Sequence, residues 1–341
     1  MSRVTIEDVA RRAGVSVATV SRALRGLPNV APSTRDKVNR VAGELDYRAH
    51  PHASRLATGR TQTIGMAVPI LNTWYFSTVI AGAEAVLSDH GYDVLLVNID
   101  SEDKRRRVLA SSSSFANRVD GLILVDVRLP DDEAERLAAA GSRVVTVGHR
   151  AADFPSVVID NQLGAAIATR HLVSLGHREI GLIWAPTETS LHFSVPFERR
   201  QGYLRVLAEH DLVPSPDLQV AGDFSVDGGA EAMVALLGRS RPPTAVFAIS
   251  DEMAFGAVRA ARDRGRRVPD DVSVIGFDDH ELAEVMRLTT IRQPVVDHGV
   301  AAARALLRLL ERDVEGATTP QHLVHSTSLV VRDTTGPRLR G

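Results

Sequence analysis

The chain has no cysteine among its 341 residues, only 4% aromatics and a formal net charge of −2. Without thiols there can be no disulfide framework, no thiolate-held zinc or iron–sulfur site and no cysteine nucleophile. No apolar run approaches the roughly 18 residues needed to cross a bilayer. The N-terminus opens Met1-Ser2-Arg3 into polar, charged sequence without the apolar core of a targeting segment. The expectation is a cytoplasmic protein with no membrane partner. Catalytic signatures are missing too: no GxxxxGK loop, no GxGxxG after a strand, no GxSxG elbow and no HExxH. No enzyme activity and no cofactor are therefore expected. The histidine pairs His50/His52 and His322/His325 lack a third ligand at metal spacing and read as surface residues, so no metal is expected either.

A 44% hydrophobic and 24% charged composition excludes disorder over most of the chain, and the length suits two or three folding units. The charge is unevenly spread. Residues 1–61 carry eleven basic side chains against five acids, a net of +6, and the remainder carries −8. A small basic head on a large acidic body suggests a polyanion as partner of the head alone, a solvated charged surface being the alternative.

Three helices are legible in the head. Thr5 can cap one with Ile6, Val9, Ala10 and Ala13 on a single face, which Gly14 ends. Ser16 can cap a second, Val17 to Leu24, with Val20, Ala23 and Leu24 inward and Ala18, Ser21, Arg22 and Arg25 outward. A third, about Ser33 to Leu45, buries Val38, Val41, Ala42 and Leu45. Two helices joined through a Gly-containing turn, the second with a small, polar and basic outer face, describe a helix-turn-helix; a generic three-helix bundle is the alternative. Small residues let the second helix approach base edges, and Arg22 can place two hydrogen bonds on a guanine. The hydroxyls of Thr5, Ser16, Thr19 and Ser21 suit phosphate contacts.

VTIEDVARRAGVSVATVSRALRG (4–26), PNV (28–30) and STRDKV (33–38) together resemble the DNA-binding head of the lactose/galactose-repressor family. The resemblance implies that Val17, Ala18 and Arg22 read bases of double-stranded operator DNA. ELDYRAHPHASRLATGRT (44–61) is similar to the family's hinge, which implies a short helix with Ala53 and a minor-groove wedge at Leu56; a flexible linker is the alternative. The expected units are residues 1–48 for the head, 49–61 for the hinge and 62–341 for the body.

From residue 63 apolar strands alternate with amphipathic helices. Strands are expected at Thr63–Val68, Tyr92–Ile99, Gly121–Val125, Arg143–Val147, Ser156–Ile159, Glu179–Trp184, Ala245–Ile249 and Ser273–Phe277, with helices such as Val79–His90, Gly164–Leu175 and Glu252–Arg264 between them. The fold class is α/β: an all-α head and two lobes built on doubly wound parallel sheets. Asp278-Asp279-His280-Glu281 follows a strand, where α/β ligand sites lie. Trp184 reads as core, and Ser111–Ser114 carries no assigned chemistry.

SVVIDNQLGAAIATRHLVSLGHREIGLI (156–183), FAISDEMAFGAVRAARDRG (247–265), VPDDVSVIGFDDHELAEVMRLTTIRQP (268–294) and SLVVRDTTGP (328–337) resemble the same family's effector-binding core. The resemblance implies a cleft between two lobes joined near Asp160, Gln293 and His325. It places Arg199, Phe224, Asp251, Asp278 and His149 around a small-molecule effector, a sugar or sugar derivative, with Asn72, Trp74 and Tyr75 at the mouth. Carboxylates, one arginine and aromatic faces are what a polyol requires. Arg199 and Asp278 pairing as a bridge across the cleft is the alternative. No leucine heptads follow residue 337, so a homodimer rather than a tetramer is expected, each head covering one half-site. The expected function is a ligand-responsive transcription factor, a repressor, with the effector as inducer or corepressor. The rivals are a solute-binding protein of transport and a sugar-metabolising α/β enzyme.

Overall fold

The computed structural model describes residues 4–24, 28–47, 60–110, 115–151, 153–185, 194–311 and 320–338. The expected hinge residues Ala53 and Leu56, the pair His50/His52 and the run Ser111–Ser114 lie outside these. The chain divides into two compact units, Met1–Gln62 and Thr63–Gly341.

The first unit holds α1 (Ile6–Ala13), α2 (Val17–Leu24) and α3 (Pro32–Glu44). Its core is small and aliphatic: Val9, Ala10, Ala13, Val20, Ala23, Val38, Val41 and Ala42, flanked by Leu24, Leu45 and Tyr47. Gly14 stops α1 in the left-handed conformation at φ 64°, where a side chain is disfavoured. The backbone N–H of Val15 then returns to the Ala10 carbonyl at 3.1 Å, which turns the chain into α2.

The second unit is built from β1 (Thr63–Val68), α4 (Trp74–Asp89), β2 (Asp93–Asn98), α5 (Glu102–Leu109), β3 (Gly121–Val125), α6 (Asp131–Ala139), β4 (Val144–Val147), β5 (Ser156–Ile159), α7 (Asn161–Ser174), β6 (Ile180–Trp184), α8 (Val195–Glu209), β7 (Gln219–Ala221), α9 (Val226–Leu237), β8 (Ala245–Ala248), α10 (Asp251–Asp263), β9 (Ser273–Asp278), α11 (Glu281–Val285), β10 (Thr289–Arg292), α12 (Val295–Glu311), β11 (His322–His325) and β12 (Ser328–Val330). Two six-stranded sheets result, ordered β11-β5-β4-β3-β1-β2 and β12-β10-β9-β8-β6-β7. Every recorded pairing is parallel except β10 with β12. The central strands GLILV, VVTV and AVFA are buried at every position, the signature of a parallel sheet covered on both faces. The chain passes between lobes three times: between β5 and α7 at Asp160, between β10 and α12 at Gln293-Pro294, and between β11 and β12 just after His325.

The eight expected strands are present within a residue or so at each end. Four others, β7 (QVA), β10 (TTIR), β11 (HLVH) and β12 (SLV), are short and lack the bounded apolar run that makes strands such as β5 legible. The helix expected at Val79–His90 begins at Trp74, because Thr73 and Trp74 already adopt the extended-to-helical change one strand-end loop after β1. Asn72 and Thr73 precede that helix, and Trp74 and Tyr75 form its first turn rather than a loop.

Candidate functional site

In the head, the hydroxyl and backbone N–H of Thr5 both donate to the Asp8 carboxylate, at 2.9 and 3.0 Å. The Ser16 hydroxyl accepts from the Thr19 N–H at 3.1 Å and lies 2.8 Å from the Thr19 hydroxyl, so these two side chains fix the start of α2. Val20 and Ala23 are buried, while Val17, Ala18 and Arg22 are exposed and Ser21 is half-buried beside them. One face of α2 is thus small and apolar at its start and cationic one turn later.

In the body, a cavity of about 580 Å3, its open mouth included, lies between the lobes, within the usual range for small-molecule sites. Of the residues expected there, Tyr75, Arg199, Phe224 and Asp278 line it. Arg199 projects from α8, and Asp278 ends β9. The Arg199 guanidinium donates to Asn161 Oδ1 (3.0 Å), the Ile249 carbonyl (2.5 Å) and Asp278 Oδ1 (3.4 Å), and its central carbon lies over the Phe277 ring, 3.6 Å from the centroid. Gln293, at a lobe crossing, donates to the same Asp278 oxygen at 2.6 Å. Arg199 and Asp278 do pair, but both belong to the second lobe, so the pair does not bridge the cleft.

The other expected residues sit elsewhere. Asp251 is fully buried behind the cavity, where it accepts from the Thr290 hydroxyl (2.6 Å) and the His280 N–H (2.8 Å). His149, two residues beyond β4, lines an adjoining pocket with Glu198 and Arg205. Asn72 is exposed and lines neither space. Trp74 closes the mouth from outside: its ring packs on His280 of the second lobe at 4.6 Å, and its backbone N–H donates to Glu252 Oε1 at 3.3 Å. Phe255 packs edge-on against the same imidazole at 5.4 Å.

The run Asp278-Asp279-His280-Glu281 divides four ways. Asp278 enters the cavity, Asp279 accepts from Arg292 (2.6 Å) and Arg332 (2.8 Å), His280 receives Trp74, and Glu281 opens α11. Trp184 is partly buried against the second lobe's core with Arg200 over its ring at 5.0 Å. His322 is exposed as expected. His325 is not a plain surface residue, because its ring stacks at 5.0 Å on His298, which α12 brings to the cavity.

Sequence reasoning missed Asp126, Asn161, Glu252, Gln293 and His298, all of which line the cavity. Asp126 carried a usable signal: it follows the apolar strand β3 as Asp278 ends β9. Both adopt positive φ, 51° and 125°, as do Asp223 and Phe224 at 50° and 53°. Such backbone in non-glycine residues concentrates at functional sites. Burial pushes the Asp126 carboxyl up to about 7, against the pull of Arg199. Burial also raises Asp251, Asp278 and Glu252, with Asp278 adding repulsion at Asp251 and Arg199 drawing Asp278 back. Burial holds His298 neutral, down to about 3.

A helix-turn-helix with an open recognition face, carried on one chain with a two-lobed body around a polar cleft, defines a DNA-binding regulator that responds to a small molecule. Comparison with known proteins makes the class particular. The model of the bacterial regulatory proteins of the lacI family matches residues 5–50, and that of the periplasmic binding protein-like domain matches residues 169–335. Catabolite control protein A of Priestia megaterium is 34% identical over 323 residues, 93% of this chain and 96% of that protein. The lac repressor dimer, solved on operator with the anti-inducer ONPF, superposes with a TM-score of 0.83 at 30% identity, covering 98% of this chain and all of that one. The transcriptional regulator CelR in complex with cellobiose gives 0.69 at 33%, covering 97% and 100%. The chain belongs to the lacI family of bacterial transcriptional regulators.

Proposed function

We propose that the protein is a repressor that binds a pseudo-palindromic operator as a homodimer and is controlled by a sugar or sugar derivative held between its lobes. Residues 1–48 would serve as the DNA-binding head, 49–61 as the hinge and 62–341 as the effector-binding and dimerising body. The observation that carries this reading is the exposed face of α2 on a chain that also buries a polar network in a cleft. A solute-binding protein or a sugar-metabolising enzyme has no use for that face.

In this reading Arg22 reads a guanine, Val17 and Ala18 contact thymine methyls, and Thr5, Ser16, Thr19 and Ser21 position the helix on phosphates. Ala53 and Leu56 enter the minor groove from the hinge. Tyr75, Arg199, Phe224 and Asp278 meet the effector directly. Asp251 holds the loop after β9, Trp74 guards the mouth with Asn72 outside it, and His149 serves the adjoining pocket. A ligand seated on both walls changes how the lobes close, and the chain leaving β1 at Thr63 passes that change to the hinge. Couplings of this kind are typically about 1–3 kcal/mol, a 5–150-fold change in affinity. No covalent step is required of any residue, in keeping with relatives named as transcriptional repressors and regulators, and no helix among the described residues is long and apolar enough to cross a membrane. A cytoplasmic site of action follows from DNA as the partner.

The test is anisotropy of a labelled palindromic duplex titrated with the full chain at several salt concentrations. Binding should weaken linearly in log–log form as phosphate contacts release counterions. Lack of saturable binding at low salt contradicts the reading.

A further inference from the structure

Two imidazoles meet where the chain crosses between the lobes. His298 stands in the first turn of α12, just beyond the crossing at Gln293-Pro294, and His325 ends β11 immediately before the last crossing. Their rings stack with centroids 5.0 Å apart and planes 22° from parallel. Tyr75, from the first turn of α4, meets the His298 ring edge-on at 6.5 Å. A column of rings therefore ties the start of α4 to two of the three crossings about which the lobes turn. His298 is 2% exposed, and neither of its ring nitrogens has a hydrogen-bond partner; Nδ1 of His325 has none either. Ring contact holds this column together, and three polar atoms shut off from water oppose it. Buried polar atoms left unpaired cost free energy, and here water can reach them only if the contact opens.

The stack has no place for a proton. The charged and titratable groups lining the cavity with His298 are Tyr75, Asp126, Arg199, Glu252 and Asp278. None of them hydrogen-bonds to its ring. Burial holds His298 neutral, and His325 and Arg199 repel a further positive charge there. On its outer side His325 opens on a groove lined by Asp153 ahead of β5 and by Asp297, Arg304 and Arg308 of α12. Asp297 draws a proton towards His325, but burial outweighs that pull and lowers this ring as well. Once the crossings part, water reaches each ring and it titrates as an ordinary histidine, near 6.5. By linkage the stacked arrangement is favoured above that pH and loses ground as pH falls through it. Each histidine can shift the balance by as much as about tenfold between pH 7.5 and 5.5. His325 lines the outer groove and not the cavity, so it can act on the lobes without touching a ligand between them.

We propose that the His298–His325 stack is a proton-operated catch on the lobe hinge: uncharged, it holds two of the crossings together, and a proton on either ring releases them. Acidity then acts on the same lobe movement as a ligand in the cleft. The catch follows from the crossings and does not depend on what the cleft binds. The test is hydrogen exchange of the ligand-free full chain at pH 7.5 and 5.5, corrected for intrinsic rates and read at residues 292–300 and 320–328. The opening constant there should rise more than about tenfold in acid, while β3 stays protected. His325→Phe keeps a flat ring that does not titrate, so it should preserve protection at pH 7.5 and shrink the acid rise. His298→Leu should shrink the rise as well, and the two together should abolish it. His325→Gln, polar but without the ring, should open the crossings already at pH 7.5. A rise that persists undiminished in the double variant overturns the proposal and assigns the sensitivity to His149 or His280. Crossings that open no further in acid overturn it too, as does a rise that β3 shares equally.

Discussion

The head and the body treat their functional side chains in opposite ways. The head packs eight small aliphatic residues into its core and leaves Val17, Ala18 and Arg22 in water, ready to be read against a surface. The body buries Arg199, Asp251 and Asp278 to less than a tenth of their exposed area, so these groups hold one another up before any ligand arrives. An exposed reader can be altered without harming the fold. A buried network cannot, because each member carries part of the structure.

Arg199→Ala breaks this contrast most forcefully. It strands Asp278 and Asn161 and should cost the body about 3–5 kcal/mol, visible as a lower denaturation midpoint, together with loss of ligand response. Arg22→Ala should cost about 1–3 kcal/mol of operator affinity and relax preference at one base pair per half-site, with the denaturation midpoint unmoved. A uniform loss across all sequences would show that Arg22 touches phosphate only. Trp74→Ala removes the ring contact to His280 that spans the mouth, and should cost about 0.5–1.5 kcal/mol. Hydrogen exchange should then quicken around residues 73–77 and 280–283 while the strand cores stay protected.

The contrast also shows in pH dependence. Asp126 has its folded value raised from 3.8 to about 7, so the folded state holds the extra proton and its stability falls as pH rises through that window. His298 is lowered from 6.5 to about 3, so its contribution is lost as pH falls below 6.5. Asp126→Asn should therefore gain on the parent as pH climbs towards 7, and His298→Leu should gain as pH falls towards 4. Thermal midpoints across this range measure both.

Much of the head could be read from the chain because its logic is local. Ser16, Gly14 and the Val20–Ala23–Leu24 face each announce their role within one helical turn. The strands β1, β3, β5 and β9 were equally legible, since buried parallel strands are continuous apolar runs bounded by polar residues. The cleft was not. Asp126, Asn161, Gln293 and His298 converge from four separate elements, and only the three lobe crossings bring them together. Asp251 shows the reverse problem: it sits in a cleft-like motif beside Ser250 and Glu252, which line the cavity, yet its own carboxylate turns inward to Thr290 and the His280 backbone. One residue of helical phase separates a ligand contact from a strut, and sequence spacing does not resolve it.

Selection of duplexes from a random pool by the purified full chain addresses the central claim most directly. Enrichment of pseudo-palindromic sites, with Arg22→Ala relaxing a single symmetric base pair and Arg199→Ala leaving the selected sequence unchanged, is the predicted result. Absence of enrichment, or a selected sequence altered by the cleft substitution and not by the head substitution, would contradict the division of labour between exposed reader and buried sensor.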